Sequence, residues 1–324
     1  MRRVFSFCVL VVLAALAGCD NERPRADDAR PTPSGTPREI EKIDDPHLEN
    51  AHRVTSKVWG GAEPHDEAAF IALKKIGVRT IISVDGAKPD VKLAHKHGLR
   101  YVHLPIGYDR VPQERAVEIA KAFNTLPGPI YIHCHHGKHR SAAAAAVGCV
   151  INGTLNNAEA LQAMKTFGTG ENYAGLWDSA RTARLQSQKQ INALDVKFVE
   201  SAPIPPLAEA MVAMDVWFEH LADCKKAKWR QPADHPDLDP PHEALKLRES
   251  FTEIMRTDSY KNGQQDFKDW MMASEAGAQE LEKRLRAWKQ STDSAYPPEI
   301  DVCFKSIEKS CKDCHAKYRN VPKR

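Results

Sequence analysis

From Arg53 to about residue 185 the apolar positions follow two alternating rhythms. Short β-branched and aromatic runs, Val78–Val84, Leu99–Leu104 and Pro129–His133, are bounded by Gly or Pro and read as strands. Between them, Asp66–Ile76, Val91–His97, Gln113–Asn124 and the alanine-rich Ser141–Ile151 read as helices. Strand and helix in alternation predict an α/β domain around a central sheet, spanning roughly residues 48–185. After a linker at 186–204 the strand character disappears. Four helical segments follow, Leu207–Lys226, His242–Thr257, Gln264–Lys289 and Pro298–Tyr318, with Pro or Gly in the connections. In the first, Leu207, Met211, Met214, Phe218 and Leu221 recur at helical spacing; in the last, Ile300, Phe304, Ile307, Cys311 and Cys314 do the same. The second domain, 205–324, is therefore expected to be an all-α four-helix bundle. No internal repeat is visible.

Length and composition agree with this division: 324 residues leave room for two ordinary domains, and 42% hydrophobic with 27% charged residues is a globular balance. The formal charge of +3 includes Arg2 and Arg3, so the remainder is close to neutral and gives no support to nucleic-acid binding. Those two arginines precede a short apolar stretch, Val4–Ala17, too short to span a membrane. It ends in Leu16-Ala17-Gly18-Cys19, which resembles the lipobox of bacterial lipoproteins. The resemblance implies a signal peptide at 1–18, a lipidated Cys19, and anchoring to a bacterial membrane on its periplasmic side by two acyl chains. Residues 19–47, rich in Pro, Arg, Asp and Glu, are expected to be a disordered tether.

The densest chemistry lies in Ile130–Ser141, IYIHCHHGKHRS. Four histidines and a cysteine suggest a metal site. A strand-to-loop-to-helix segment, however, sends consecutive side chains in different directions, and no separated partner pair lies nearby in sequence. The same segment suits an anion. A strand ends, a loop with Gly137 follows, a helix begins at Ser141, and backbone N–H groups converge with the helix N-terminus. Cys134 would lie at the bottom of this cradle and Arg140 at its rim.

His133-Cys134-His135-His136-Gly137-Lys138-His139-Arg140-Ser141 matches the His-Cys-x-x-Gly-x-x-Arg-Ser/Thr signature of cysteine-dependent tyrosine and dual-specificity phosphatases, and the upstream "VWGGAEP", "GVRTIISVDG" and "LRYVHLPI" are similar as well. The resemblance implies that Cys134 attacks phosphorus as a thiolate, favoured by the loop amides and Arg140, and forms a cysteinyl-phosphate. Arg140 would hold two phosphate oxygens at once. Residues His135, His136, Gly137, Lys138 and His139 would form the phosphate-binding loop, Ser141 would assist departure of the sulfur, and His133 would order the loop from below. The family draws its proton donor from a separate loop, where Asp109 is the first candidate and Asp85 the reserve. "GKHR" is similar to loops of phosphatases acting on inositol pyrophosphates, so the expected substrate is a phosphorylated protein or a small polyphosphate.

Near the end of the second domain stands Cys311-Lys-Asp-Cys-His315, the c-type haem attachment motif. Its alternatives are a zinc site completed by a residue such as Cys303, or a redox disulfide between Cys311 and Cys314. An export signal delivers the chain to where haem is attached, which favours haem. The segment resembles the cytochrome c-prime and related class II family, whose last helix carries CxxCH near its end. The resemblance implies one covalent haem c on Cys311 and Cys314, His315 as an iron ligand, Met211 at the distal position, and a redox partner or a small gas as the counterpart. With Met211 and His315 at one height, Cys224 and Cys303 are displaced about 20 Å and about 18 Å the same way along the bundle, a level match that favours a disulfide. Two readings follow: an exported phosphatase fused to a haem domain, or a haem protein whose first domain binds phosphate without turnover.

Overall fold

The computed structural model describes residues 40–291 and 295–321. The expected signal peptide, the expected lipidation site Cys19 and most of the expected tether lie outside these residues. The sheet begins earlier than expected. Strand β1 (Glu41–Lys42) pairs antiparallel with β2 (His52–Arg53), and Ile43 is buried, so the tail of the segment assigned to the tether belongs to the fold. The sequence shows no strand there because a two-residue edge strand has no room for an alternating pattern.

The chain continues through β3 (Val58–Ala62), α1 (Glu67–Lys75), β4 (Thr80–Ser83), α2 (Val91–Lys96), β5 (Arg100–His103), α3 (Gln113–Thr125), β6 (Ile130–Cys134) and α4 (Arg140–Ile151). Among the described residues the sheet order is β1-β2-β3-β6-β4-β5, parallel from β3 onward. Parallel strands need both faces covered, and the residues alternate accordingly. Trp59, Ile81, Tyr101 and Tyr131 pack with α1 and α2; Val58, Ile82, Val102 and Ile132 pack with α3, α4, α5 (Asn157–Thr166) and α6 (Ala174–Thr182). Every residue of α4 is buried, which explains its run of alanines: small side chains let a helix pass through the middle of the layer.

The stretch expected to be a linker is laid on this domain instead. Helix α7 (Gln188–Ala193) buries Ile191 in the core, and the His103 N–H donates to the Val199 carbonyl at 2.9 Å. Two anchors of this kind, widely spaced, leave no periodicity to read.

The remainder is helical: α8 (Pro206–Lys226), α9 (Pro240–Arg256), the single turn α10 (Asp258–Lys261), α11 (Gln265–Gln290) and α12 (Glu299–Tyr318). Met214, Leu221, Leu247, Phe251, Met271, Leu281, Ile300, Phe304 and Ile307 form their shared core. The first and last helices face one another through long side chains, with Phe218 stacked on Phe304 at 5.0 Å and Lys225 paired with Glu308 at 3.4 Å. The expected Cys224–Cys303 bond is absent, and both residues are free thiols. Cys224 is buried beside Glu243 of α9, whereas Cys303 lies against Arg284 and Glu280 of α11. The two thiols have different neighbours and do not meet. No helix among the described residues is long and apolar enough to cross a membrane.

Candidate active site

Between the end of β6 at Cys134 and the start of α4 at Arg140 no ladder sets the peptide planes. Groups outside the loop set them. The His135 carbonyl accepts from the Glu63 N–H at 3.0 Å, the Gly137 carbonyl from the Asn50 side-chain amide at 3.1 Å, and the Lys138 carbonyl from the Thr169 hydroxyl at 2.6 Å. In a trans peptide the N–H points opposite to the C=O. The N–H groups of His136, Lys138 and His139 therefore turn into the loop, and with the N-terminus of α4 they form a bowl for an anion. Gly137 has φ +69°, and a Cβ there would stand 2.2 Å from the Gly61 backbone, so only glycine closes this turn against β3.

Cys134 is buried in the bowl, its Sγ 3.3 Å from the Ser141 hydroxyl. Arg140 donates from Nη2 to Asp85 Oδ2 at 2.7 Å and to the Tyr108 hydroxyl at 2.9 Å, and its guanidinium lies 4.2 Å from the Tyr108 ring centre. Its Nε is buried with no hydrogen-bond partner among the described residues, a donor suited to an oxyanion. Asp85, 1% exposed, also accepts the His135 N–H at 2.5 Å. Burial pushes its carboxyl up, but Arg140 and that N–H outweigh the effect and hold it below the usual carboxylate range. The cradle thus contains an ionised carboxylate of its own.

His133 lies beneath the loop, with Nε2 and the Tyr101 hydroxyl hydrogen-bonded at 2.6 Å; burial pushes it down to about 4 and keeps it neutral. His139 accepts the Gly170 N–H at 3.2 Å and rests on Tyr173; burial, then its cationic neighbours, push it down to about 4. Lys138 is exposed. Asp109 folds back toward Gly107 and pairs with Arg110 at 3.4 Å; the residue of its loop that touches Arg140 is Tyr108.

The side chains of His135 and His136 leave the bowl and meet the helical part of the chain. Glu219 of α8 lies 3.1 Å from His135 Nε2 and 3.4 Å from His136 Nε2, while His135 Nδ1 faces Glu63 at 3.6 Å. Glu219, then Glu63, drive His135 up to about 10. Arg319, just past the end of α12, lies 4.2 Å from the Tyr108 ring centre, so that ring carries guanidiniums from both parts of the chain. Sequence reasoning gave Asn50, Tyr108, Thr169, Glu219 and Arg319 no place at this site, although Tyr108 stands beside Asp109 and Glu219 beside Phe218.

A second group occupies the end of α12. Cys311 and Cys314 are free thiols, pushed up to about 12 and about 11 chiefly by burial. Burial, helped by Arg319, pushes His315 down to about 4, and its ring makes no side-chain hydrogen bond among the described residues. Met211 is half-buried on α8, and Asp215, one turn on, interacts electrostatically with Cys311.

No family model matches the chain. Over 130 residues, 39% of this chain, it is 25% identical to the dual specificity protein phosphatase TpbA of Pseudomonas aeruginosa (strain UCBPP-PA14), and the match spans 58% of that relative's length. A crystal structure of P. aeruginosa TpbA in complex with phosphotyrosine covers 44% of this chain and 90% of its own, with 20% identity and a TM-score of 0.39. The core catalytic domain of the PP-IP phosphatase Siw14 from S. cerevisiae covers 42% of this chain and 86% of its own, with 14% identity and a TM-score of 0.38.

Gly137→Ala tests the bowl. The left-handed backbone alone is expected to cost ~1–3 kcal/mol, and the clash with Gly61 adds to it. Urea unfolding should show the loss, and binding of orthovanadate should disappear. A variant as stable as the parent that still binds vanadate would contradict the arrangement.

Proposed function

We propose that the chain is a cysteine-dependent phosphomonoesterase of the tyrosine and dual-specificity type. The observation that carries this reading is the bowl itself: inward N–H groups, a buried Arg140 with an uncommitted Nε, and Cys134 between them. Similarity to TpbA over 130 residues supports it. The Cys134 thiolate attacks phosphorus; an S–P bond forms, the ester P–O bond breaks, and the leaving oxygen takes a proton. Water then attacks the cysteinyl-phosphate and releases inorganic phosphate, with the Ser141 hydroxyl, 3.3 Å away, donating to the departing sulfur. Arg140 grips the phosphoryl oxygens as their charge rises. The substrate is a phosphorylated protein or a small polyphosphate.

The proton donor must be protonated at the outset. Asp85 is held ionised, which suits it to positioning Arg140 rather than to donating. The acid role stays with Asp109, whose loop meets Arg140 through Tyr108. The reading without turnover draws on one observation, that the Asp109 carboxylate turns toward Arg110.

For the helical part, the fitting group is one haem c on Cys311 and Cys314, with His315 as iron ligand and Met211 as the distal candidate. Two free thiols and a neutral, uncommitted imidazole on adjacent turns support the fit. Bound haem would supply one-electron or small-gas chemistry, with a redox partner in the first case. Attachment requires export, in keeping with a signal peptide at 1–18 and a lipidated Cys19 facing the periplasm.

Cys134→Ser is expected to abolish aryl phosphate hydrolysis while the circular dichroism stays unchanged, and retained turnover would refute the mechanism. Asp109→Asn should slow alkyl phosphates ~10²-fold or more while sparing activated aryl phosphates, whereas Asp85→Asn should slow both alike. The reverse pattern would move the acid role to Asp85. For the haem, protein matured in the periplasm should keep its Soret absorbance through acid–acetone extraction, and Cys311→Ser with Cys314→Ser should lose it. Extractable pigment, or none, would remove the assignment.

A further inference from the structure

Consecutive residues on a strand point apart, which works against a metal among these histidines. The strand stops at Cys134, however, and His135 and His136 lie in the turn beyond it, with ring centres 4.4 Å apart. Their Nε2 atoms converge on one oxygen, Glu219 Oε1, at 3.1 and 3.4 Å. We propose that His135 Nε2, His136 Nε2 and the Glu219 carboxylate form a binding site for a Zn2+-class divalent ion, joining the loop around Cys134 to helix α8.

Three features carry the inference. In a tetrahedral site with ~2.0–2.1 Å bonds the donor atoms stand about 3.3 Å apart, the spacing seen between Glu219 Oε1 and each imidazole. Behind His135, the Glu63 carboxylate faces Nδ1 at 3.6 Å, the carboxylate–histidine pairing that fixes the ring of a metal-bound histidine. The donors also come from two separated parts of the chain, and His136 and Glu219 remain 50% and 39% exposed, so an ion can enter. Two imidazoles and a carboxylate select a borderline ion such as Zn2+ over Mg2+ or Ca2+, which prefer all-oxygen sites. A bound ion would displace the proton that Glu219 and Glu63 hold on His135, and would clamp the helical part against the rim of the bowl.

The site rests on these donors and is independent of turnover, so its test reads bound metal. Equilibrium dialysis of the full chain against Zn2+ alone should show one site per chain beyond any held by thiols. Glu219→Gln and His136→Gln should each weaken that site at least tenfold, and Glu63→Gln should weaken it ~10–100-fold. Circular dichroism checks that each variant is folded, and His136→Gln, changed on the exposed rim, keeps the test valid if Glu219→Gln is not. Zinc absorption spectra should show a shell of nitrogen and oxygen at ~2.0–2.1 Å for this site, and the difference between parent and Glu219→Gln should contain no sulfur at ~2.3 Å. Unchanged affinity in folded Glu219→Gln and His136→Gln would overturn the proposal, leaving a plain histidine–glutamate ion pair. So would a sulfur shell in the difference spectrum, which would put the ion on Cys134 or on Cys311 and Cys314.

Discussion

The direction of three carbonyls decides the chemistry of this chain. Glu63, Asn50 and Thr169 draw the carbonyls of His135, Gly137 and Lys138 outward, and the peptide N–H groups that follow have only the bowl to face. Donors aimed in advance at one point need no rearrangement when an anion arrives, which is the condition under which such groups act most strongly on developing charge. The three braces come from the turn before β2, the end of β3 and the loop after α5. The bowl is therefore a product of the whole domain, and Gly137, pressed on Gly61, is the residue that lets the loop reach them.

Arg140 and Asp85 show the other side of that arrangement. A buried guanidinium needs a partner, and Asp85 supplies one while also taking the His135 N–H. The resting bowl contains a carboxylate where phosphate oxygens would later compete for the same donors. Binding must then exchange one anion for another at Arg140, with Tyr108 keeping the guanidinium in place on its other contact. Arg319 rests on the same ring and Glu219 holds the rim histidines, so the helical part touches the site at two places.

Much of this was legible in the sequence because the informative features are local. Ile81 and Ile82, or Tyr101 and Val102, go to opposite faces as strand side chains must, and all are apolar because both faces are covered, which leaves the short apolar runs bounded by Gly or Pro that mark the strands. The four long helices follow from apolar spacing, and the Cys134–Ser141 signature places nucleophile, glycine and arginine within one loop. What was not legible depends on long-range contact. Residues 186–204 looked like a linker because Ile191 and Val199 anchor it too far apart to form a pattern. Asn50 and Thr169 are ordinary polar residues until the loop is folded against them, and Glu219 is one carboxylate among many on an amphipathic helix. Cys224 and Cys303 mark the limit of arithmetic along helix axes: rise per residue gives height, and rotation about the axis decides whether side chains meet.

The central claim is that the anion held in this bowl is attacked by Cys134. Rapid acid quenching during turnover of an aryl phosphate, followed by peptide mass spectrometry, tests it most directly, because a cysteinyl-phosphate survives acid long enough to be mapped. A phosphoryl adduct is expected on the peptide bearing Cys134, formed within the first turnover and absent from Cys134→Ser. Phosphate release with no adduct at Cys134 would contradict it.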